Sequence, residues 1–147
     1  MQHFRNLKVW QRSHQLVLDL YKLTTTFPKD ERFGLISQLR RSASSVPTNI
    51  AEGAKRSGQQ DFARFLNIAE GSLSETEYLV VLSSDLGYLP TTRANDLCEE
   101  ISEVARMLNS LRARIDETTA GTKDTSKTLQ LSAVSCRLSA NLKEVEA

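Results

Sequence analysis

The polar residues best suited to specific chemistry recur along one predicted helix. Gln38, Arg41, Ser45, Asn49 and Glu52 follow one another at intervals of three or four residues, which places them on one helical face. Their amide, hydroxyl and guanidinium groups form directed hydrogen bonds, whereas an ordinary solvated face favours Lys and Glu. The pattern therefore favours a half-buried polar network between helices or subunits, and a plain solvated face is the alternative.

Two members of this line are predicted to form ion pairs with the next helix. In an antiparallel hairpin that turns near residues 57–58, residues equally distant from the turn lie at the same height. Arg41 then lies level with Glu75, and Glu52 lies level with Arg64. We predict both pairs, so Glu75 joins the structural or interface network.

A catalytic site requires a nucleophile with a base, paired carboxylates or a metal cluster. His3 lies at the chain terminus, and His14 lies on the apolar face of the first predicted helix, where a histidine is usually packed. Glu70, Glu75 and Glu77 are possible carboxylate ligands, but the Glu-x-x-His pairs of ferritin-like bundles are absent from the sequence. The sequence also contains neither a Walker loop nor a GxSxG motif. We expect no catalytic residue, no metal site and no cofactor.

Positive charge is concentrated in the N-terminal part of the chain. The formal net charge is +1, but residues 1–64 contain 11 Lys and Arg against 5 Asp and Glu, and residues 65–147 contain 8 against 13. This asymmetry permits salt-dependent binding to phosphates, or docking of one half on the other in an oligomer; ordinary solubilising charge is the alternative. The candidate nucleic-acid contacts are Arg5, Lys8, Arg12, Arg40, Lys55, Arg56 and Arg64.

Four amphipathic helices are predicted to position these residues. Apolar residues recur every three or four positions over about 6–26, 29–55, 60–86 and 92–115, with short turns between these segments. The predicted fold is all-α, an antiparallel up-down-up-down four-helix bundle over residues 1–117. Residues 118–147 are predicted to form a linker and a weakly ordered or partly helical C-terminal tail. No apolar run approaches the roughly 18 residues of a membrane span, so we expect a cytoplasmic protein with no membrane partner.

Pro47 lies inside the second predicted helix. Proline lacks the N–H group and crowds the carbonyl four residues earlier, so a bend is predicted there. In the hairpin of the first two helices Trp10 lies level with Pro47. It is the only large flat side chain placed to fill the space that the bend is expected to open.

Four motifs together resemble a known family. The sequence resembles the four-helix-bundle proteins encoded in intervening sequences of bacterial large-subunit rRNA genes, to which the accessory variability determinant of diversity-generating retroelements is related. The resemblance covers about residues 4–117. The motifs are F-P-K-D-E-R-F-G-L at 27–35, Q-L-R-R-S-A-S-S-V-P-T-N-I-A-E-G at 38–53, A-E-G-S-L-S-E at 69–75 and L-G-Y-L at 86–89.

The resemblance implies a homopentameric ring without catalytic chemistry. In the retroelement relatives the basic ring surface is implicated in binding nucleic acid and a reverse transcriptase. The broad apolar face of the first helix also favours self-association. The expected function is a non-enzymatic, ring-like scaffold that binds RNA or DNA through its basic surface. The alternative is an adaptor for a reverse transcriptase or another nucleic-acid enzyme without direct nucleic-acid contact. This sequence departs from the family pattern at the basic residues Lys55 and Arg56 and in the tail after Asp116.

Overall fold

Helices joined by short turns make up the computed structural model, which describes residues 3–120. Consecutive helices pack against each other, and the last returns to the first, so the four follow one another around the bundle. The described range contains no strand, and the predicted antiparallel four-helix bundle is confirmed. The helices are α1 (Lys8–Leu23), α2 (Leu35–Ala54), α3 (Gln59–Asp85) and α4 (Thr91–Ala120), and short 3-10 turns cover Phe4–Asn6, Thr24–Thr26 and Lys29–Glu31.

The core is built from the apolar repeats of all four helices. Because side chains three and four residues apart share a helical face, each repeat forms one stripe that is removed from water on folding. The largest fully buried apolar side chains are Leu20, Leu39, Ile50, Leu66, Leu73, Leu97, Ile101 and Leu108.

The start of α2 differs from the prediction. The sequence pattern predicts helix from Lys29, but the α-helix begins at Leu35 because Gly34 has a non-helical backbone (φ −103°, ψ −111°). The Glu31 carboxylate accepts a hydrogen bond from the Leu35 N–H at 3.0 Å, which satisfies a backbone donor at the helix N-terminus. The Tyr88 hydroxyl donates to the other Glu31 oxygen at 3.2 Å. Glu31 thus connects the start of α2 to the turn between α3 and α4.

The predicted stop after α3 is confirmed. Gly87 has φ +80°, a left-handed conformation that glycine adopts without steric cost. Its N–H donates to the Ser84 carbonyl, and the Tyr88 N–H donates to the Ser83 carbonyl, both at 2.9 Å. These two bonds close the helix C-terminus as in a Schellman motif.

The last helix continues past the predicted end of the bundle at residue 117. α4 ends at Ala120, and the predicted tail beyond it lies outside the described residues. Within the described chain, no helix combines the length and apolar character needed to span a membrane.

Pro47 and Trp10 occupy the positions at which a bend is predicted. α2 continues through Pro47, whose side chain is buried. The half-buried Trp10 ring stacks on His14, with centroids 5.0 Å apart, and meets Phe4 edge-on at 5.1 Å. The bend and the packing of Trp10 on Pro47 stay predictions.

Candidate functional site

A hydroxyl ladder, formed by Ser42, Ser45, Ser72 and Thr76, joins α2 to α3. The Ser45 and Ser72 hydroxyls are 2.9 Å apart, and the Thr76 hydroxyl lies 3.0 Å from that of Ser42. Asn49 extends the ladder by donating to the Ser45 carbonyl at 2.8 Å and to its hydroxyl at 3.0 Å. No buried side-chain nitrogen or oxygen in the described residues lacks a partner. The ladder therefore links the two helices without leaving a desolvated polar group unsatisfied.

Small residues bring α2 and α3 close together along this ladder. Serine side chains occupy little volume, and further along the same seam Gly53 has no side chain at all. A Cβ atom added to Gly53 would lie 2.8 Å from both Phe62 Cδ2 and Phe65 Cβ. The second family motif thus supplies the small residues at this close helix–helix contact.

Only part of the predicted polar network lies in this seam. Ser45 and Asn49 belong to it, whereas Gln38, Arg41, Glu52 and Glu75 are exposed. The four exposed residues stay candidates for an interface between subunits.

Neither predicted ion pair with α3 is formed within residues 3–120. Glu52 instead pairs with Arg56 at 2.7 Å, and Arg64 lies 3.9 Å from Asp61. The direction of the Arg41 side chain explains why it does not reach Glu75. Arg41 precedes Ser42, which faces α3, by one position, and successive side chains on a helix point about 100° apart. The exposed Arg41 side chain therefore lies outside the seam.

Sequence reasoning missed three of the four ladder residues. Thr76 falls within the apolar repeat of α3, and a hydroxyl at such a position is the signal that could have identified it. Ser42 and Ser72 carry no comparable signal, because a serine beside an apolar stripe is equally compatible with exposure.

A second polar cluster, also missed, connects α3 to α4. The Arg112 guanidinium donates to Glu70 at 2.8 Å and to Asn109 at 3.1 Å, and it also contacts the side-chain oxygen of Asn67. The Arg112 and Glu70 side chains are 29% and 21% exposed, so this ion pair is largely shielded. Glu70 therefore serves a helix–helix contact rather than a metal site. Among the described residues, no group of three or more His, Cys, Asp or Glu side chains is arranged to hold a metal ion.

Five of the seven predicted nucleic-acid contacts lie at one end of the bundle, where α1 and α3 begin and α2 and α4 end. We call this the basic end. Lys55 lies over the Phe4 ring at 5.5 Å, and Arg56 and Arg64 each lie 5.1 Å from the centre of the Phe65 ring. The five residues are Arg5, Lys8, Lys55, Arg56 and Arg64.

The other two predicted contacts lie elsewhere. Arg12 forms an ion pair with Glu103 across α1 and α4. Arg40 lies towards the opposite end, where its guanidinium donates to the Thr24 hydroxyl at 2.9 Å and covers the Tyr21 ring at 4.5 Å. Both arginines are therefore engaged within the bundle.

A groove of about 600 Å³ runs between the start of α1 and the second half of α4. We call it the α1–α4 groove. Apolar side chains and the cations Lys8, Arg106 and Arg114 line it, and its one carboxylate, Glu103, is paired with Arg12. The apolar lining residues are Leu7, Val9, Met107 and Leu111.

A smaller cavity of about 220 Å³ lies further along the same seam. Asp19 and Glu100 line it together with Arg12. Burial raises the pKa of Glu100, nearby Asp19 and Asp96 raise it further, and Arg93, 4.0 Å away, opposes the shift. The contact between α1 and α4 is therefore acidic around this cavity and basic around the α1–α4 groove.

The fold and these contacts define an all-α, antiparallel four-helix bundle in which several side-chain hydrogen bonds join neighbouring helices. The sequence matches the family model of the 23S rRNA-intervening sequence protein over residues 5–110, and the chain belongs to that family.

A solved structure has the same fold. It is a protein with unknown function from the S23 ribosomal protein family of Bacteroides thetaiotaomicron, 24% identical in sequence, with a TM-score of 0.67. The match covers 71% of this chain and 95% of the other. A comparison with curated proteins finds no match.

Proposed function

We propose that this chain is a non-enzymatic, cytoplasmic scaffold that assembles with copies of itself. The observation that carries the proposal is the number of large apolar side chains left outside the core. Large apolar side chains exposed to water are candidates for a protein contact. The exposed residues are Leu18, Tyr21, Phe33, Ile68, Tyr78 and Leu86.

The use of the polar groups supports a scaffold rather than an enzyme. The hydroxyls of the ladder bond to each other and to helix carbonyls, and Glu31, Glu70 and Glu103 each contact another helix or turn. A catalytic constellation needs groups directed at a substrate position instead.

The assembly expected for this scaffold is a homopentameric ring. Light scattering during size-exclusion chromatography at micromolar concentration measures the mass directly, and five times the chain mass is the expected result. A monomeric mass would contradict the proposed self-association.

Nucleic acid is the cargo that we propose for the basic end. Arg5, Lys8 and Lys55 form no ion pair with any carboxylate of residues 3–120, so their charge is available to phosphates. Arg56 and Arg64 lie beside them but are partly neutralised by Glu52 and Asp61. Binding through such contacts is weakly sequence-specific, and a ring would strengthen it by repetition.

The adaptor function is the second candidate. The pairing of Arg12, Arg56 and Arg64 with carboxylates favours it, because it leaves fewer cations for phosphate than the sequence contains. In this function the scaffold binds a reverse transcriptase or another nucleic-acid enzyme and makes no nucleic-acid contact itself.

Salt-dependent binding separates the two candidates. Fluorescence anisotropy with a single-stranded RNA and a duplex DNA is measured between about 50 and about 200 mM salt. For the duplex, the variant Arg5→Ala/Lys55→Ala should bind more weakly, with a log–log salt slope that is smaller by about 0.9 for each phosphate no longer neutralised. The matched control Lys22→Ala/Lys29→Ala removes two exposed cations from the opposite end of the bundle. It should leave the affinity for the duplex and the salt slope unchanged. Absence of binding at the lowest salt would favour the adaptor.

A further inference from the structure

The outer face of α3 carries an amphipathic row that the bundle itself does not cover. Ile68 and Tyr78 are 45% and 63% exposed. Between them lie Gly71, where an added Cβ would meet no atom within 4 Å, and the exposed Glu75. We call these four residues the α3 ridge.

The α3 ridge and the α1–α4 groove are complementary in chemistry. The ridge presents two apolar side chains and a carboxylate that forms no ion pair in the described part of the chain. The groove presents an apolar floor edged by cations, and Arg106 and Arg114 likewise have no carboxylate partner among residues 3–120. An acidic, apolar ridge therefore suits this groove better than a second basic surface would.

The two surfaces are also similar in length. At about 1.5 Å of rise per residue, the ridge from Ile68 to Tyr78 spans about 15 Å, and the α4 wall of the groove from Glu103 to Arg114 spans about 16 Å. Gly71 lies inside the ridge, where the absence of a side chain lets another backbone approach closely.

We propose that the α3 ridge of one copy docks into the α1–α4 groove of the next copy. Ile68 and Tyr78 contact the apolar floor, and Glu75 pairs with Arg106 or Arg114. This inference rests on the proposed self-association and names the surfaces that carry it.

A contact between two different patches is the kind that a ring requires. Each copy offers one ridge and one groove, so it can bind a neighbour on either side, and the assembly closes into a ring where the rotation between successive copies returns to the first.

Charge reversal in the full chain tests the contact. The groove variant is Arg106→Glu/Arg114→Glu, and the ridge variant is Glu75→Arg. Each should lower the mass measured by light scattering and weaken self-association at least tenfold. The matched controls Lys22→Glu and Glu99→Arg reverse exposed charges elsewhere and should keep the wild-type mass. Circular dichroism establishes that each variant remains folded.

Mixing the two variants gives the decisive measurement. The groove variant retains an intact ridge, the ridge variant retains an intact groove, and the two reversed surfaces are again opposite in charge. An equimolar mixture should therefore form mixed oligomers that neither variant forms alone. Combining all three reversals in one chain should restore part of the wild-type assembly.

Two outcomes would overturn the inference, and they differ in meaning. If the wild-type protein is oligomeric and the folded variants keep its mass, the ridge-to-groove contact is wrong while self-association stands. The groove would then receive another occupant, such as residues 121–147 or an acidic segment of a different protein. If the wild-type protein is monomeric, the proposed scaffold fails together with this contact.

Discussion

Gly53 in α2 and Gly71 in α3 differ in how much space is available for a side chain. Gly53 is buried in α2 against Phe62 and Phe65, whereas Gly71 is exposed in α3 with open space around its Cα. Alanine is the better helix former by about 1 kcal/mol at an interior position. Packing therefore decides the sign of a glycine-to-alanine change at each site.

Gly53→Ala should lower the free energy of unfolding, and Gly71→Ala should raise it. At position 53 the new methyl overlaps the two phenylalanines, and overpacking of this kind costs about 1–3 kcal/mol, which exceeds the gain in helix propensity. At position 71 only the gain of about 0.5–1 kcal/mol remains. Urea titrations at two protein concentrations separate this effect from self-association. A stabilising Gly53→Ala would mean that α2 and α3 separate easily.

Arg41 and Arg112 should differ in their contribution to stability. Arg41→Ala should change the free energy of unfolding by less than about 1 kcal/mol, because Arg41 is exposed and pairs with no carboxylate in the described residues. Arg112→Ala should cost about 1.5–3 kcal/mol, because it removes charged hydrogen bonds to the largely shielded Glu70 and to Asn67 and Asn109. Thermal and urea unfolding measure both. Equal losses would show that shielding of the ion pair does not govern its contribution.

At the scale of elements, the motifs that identify the family are helix–helix contacts. The motif at 38–53 meets that at 69–75 through the Ser45–Ser72 pair of the hydroxyl ladder. The motif at 27–35 meets that at 86–89 through Glu31 and Tyr88. The Phe27 and Tyr88 rings also lie 5.8 Å apart. Burial and the hydrogen bond to Glu31 raise the pKa of Tyr88, so its hydroxyl stays a donor. These motifs therefore account for how the helices pack, and the functional argument depends on the surfaces that they leave outside.

The Ser42 and Thr76 hydroxyls provide a test of the ladder. Thr76→Val preserves the side-chain volume and removes the hydroxyl that bonds to Ser42 and to the Ser72 carbonyl. Each of Ser42→Ala and Thr76→Val should lower the free energy of unfolding by about 0.5–1.5 kcal/mol, and the double variant should lose less than the sum. A double-mutant cycle measures this coupling. Strictly additive losses would indicate that the two hydroxyls do not stabilise each other.

The limits of helix prediction follow from the same contacts. The end of α3 was predictable because Gly87 and Pro90 act locally. The start of α2 was not, because it depends on the backbone of Gly34 and on Glu31, which binds both the Leu35 N–H and Tyr88, a residue distant in sequence. Periodicity identifies which face of a helix is buried, but it does not identify which polar side chain meets which across a seam.

For the whole molecule, the sequence predicted the topology but not how its charges are distributed in space. The division of charge at residue 64 indicated where cations are concentrated along the chain, and five of the candidate cations lie at one end of the bundle. The pairing of Arg12 with Glu103 and the grouping of Lys8 with Arg106 and Arg114 depend on the contact between the first and last helices. Such contacts join residues about 100 positions apart, for which local spacing carries no information.

The acidic part of the α1–α4 seam links the stability of the bundle to pH. Burial raises the pKa of Glu100 above its ordinary value of 4.5, so the folded protein binds this proton more tightly than the unfolded chain. The free energy of unfolding should therefore fall as pH rises from about 4.5 through the raised pKa of Glu100. Arg93 and Arg12 lower the pKa of Glu100 but do not cancel the increase caused by burial.

Glu100→Gln should therefore stabilise the protein near pH 7 and have little effect near pH 4, because glutamine resembles the protonated carboxyl group. Urea titrations at about pH 4 and about pH 7 measure the two differences. Glu99→Gln is the matched control, since it removes an exposed carboxylate from the neighbouring position of the same helix. A Glu100→Gln effect that does not vary with pH would show that burial between α1 and α4 imposes no cost on this carboxylate.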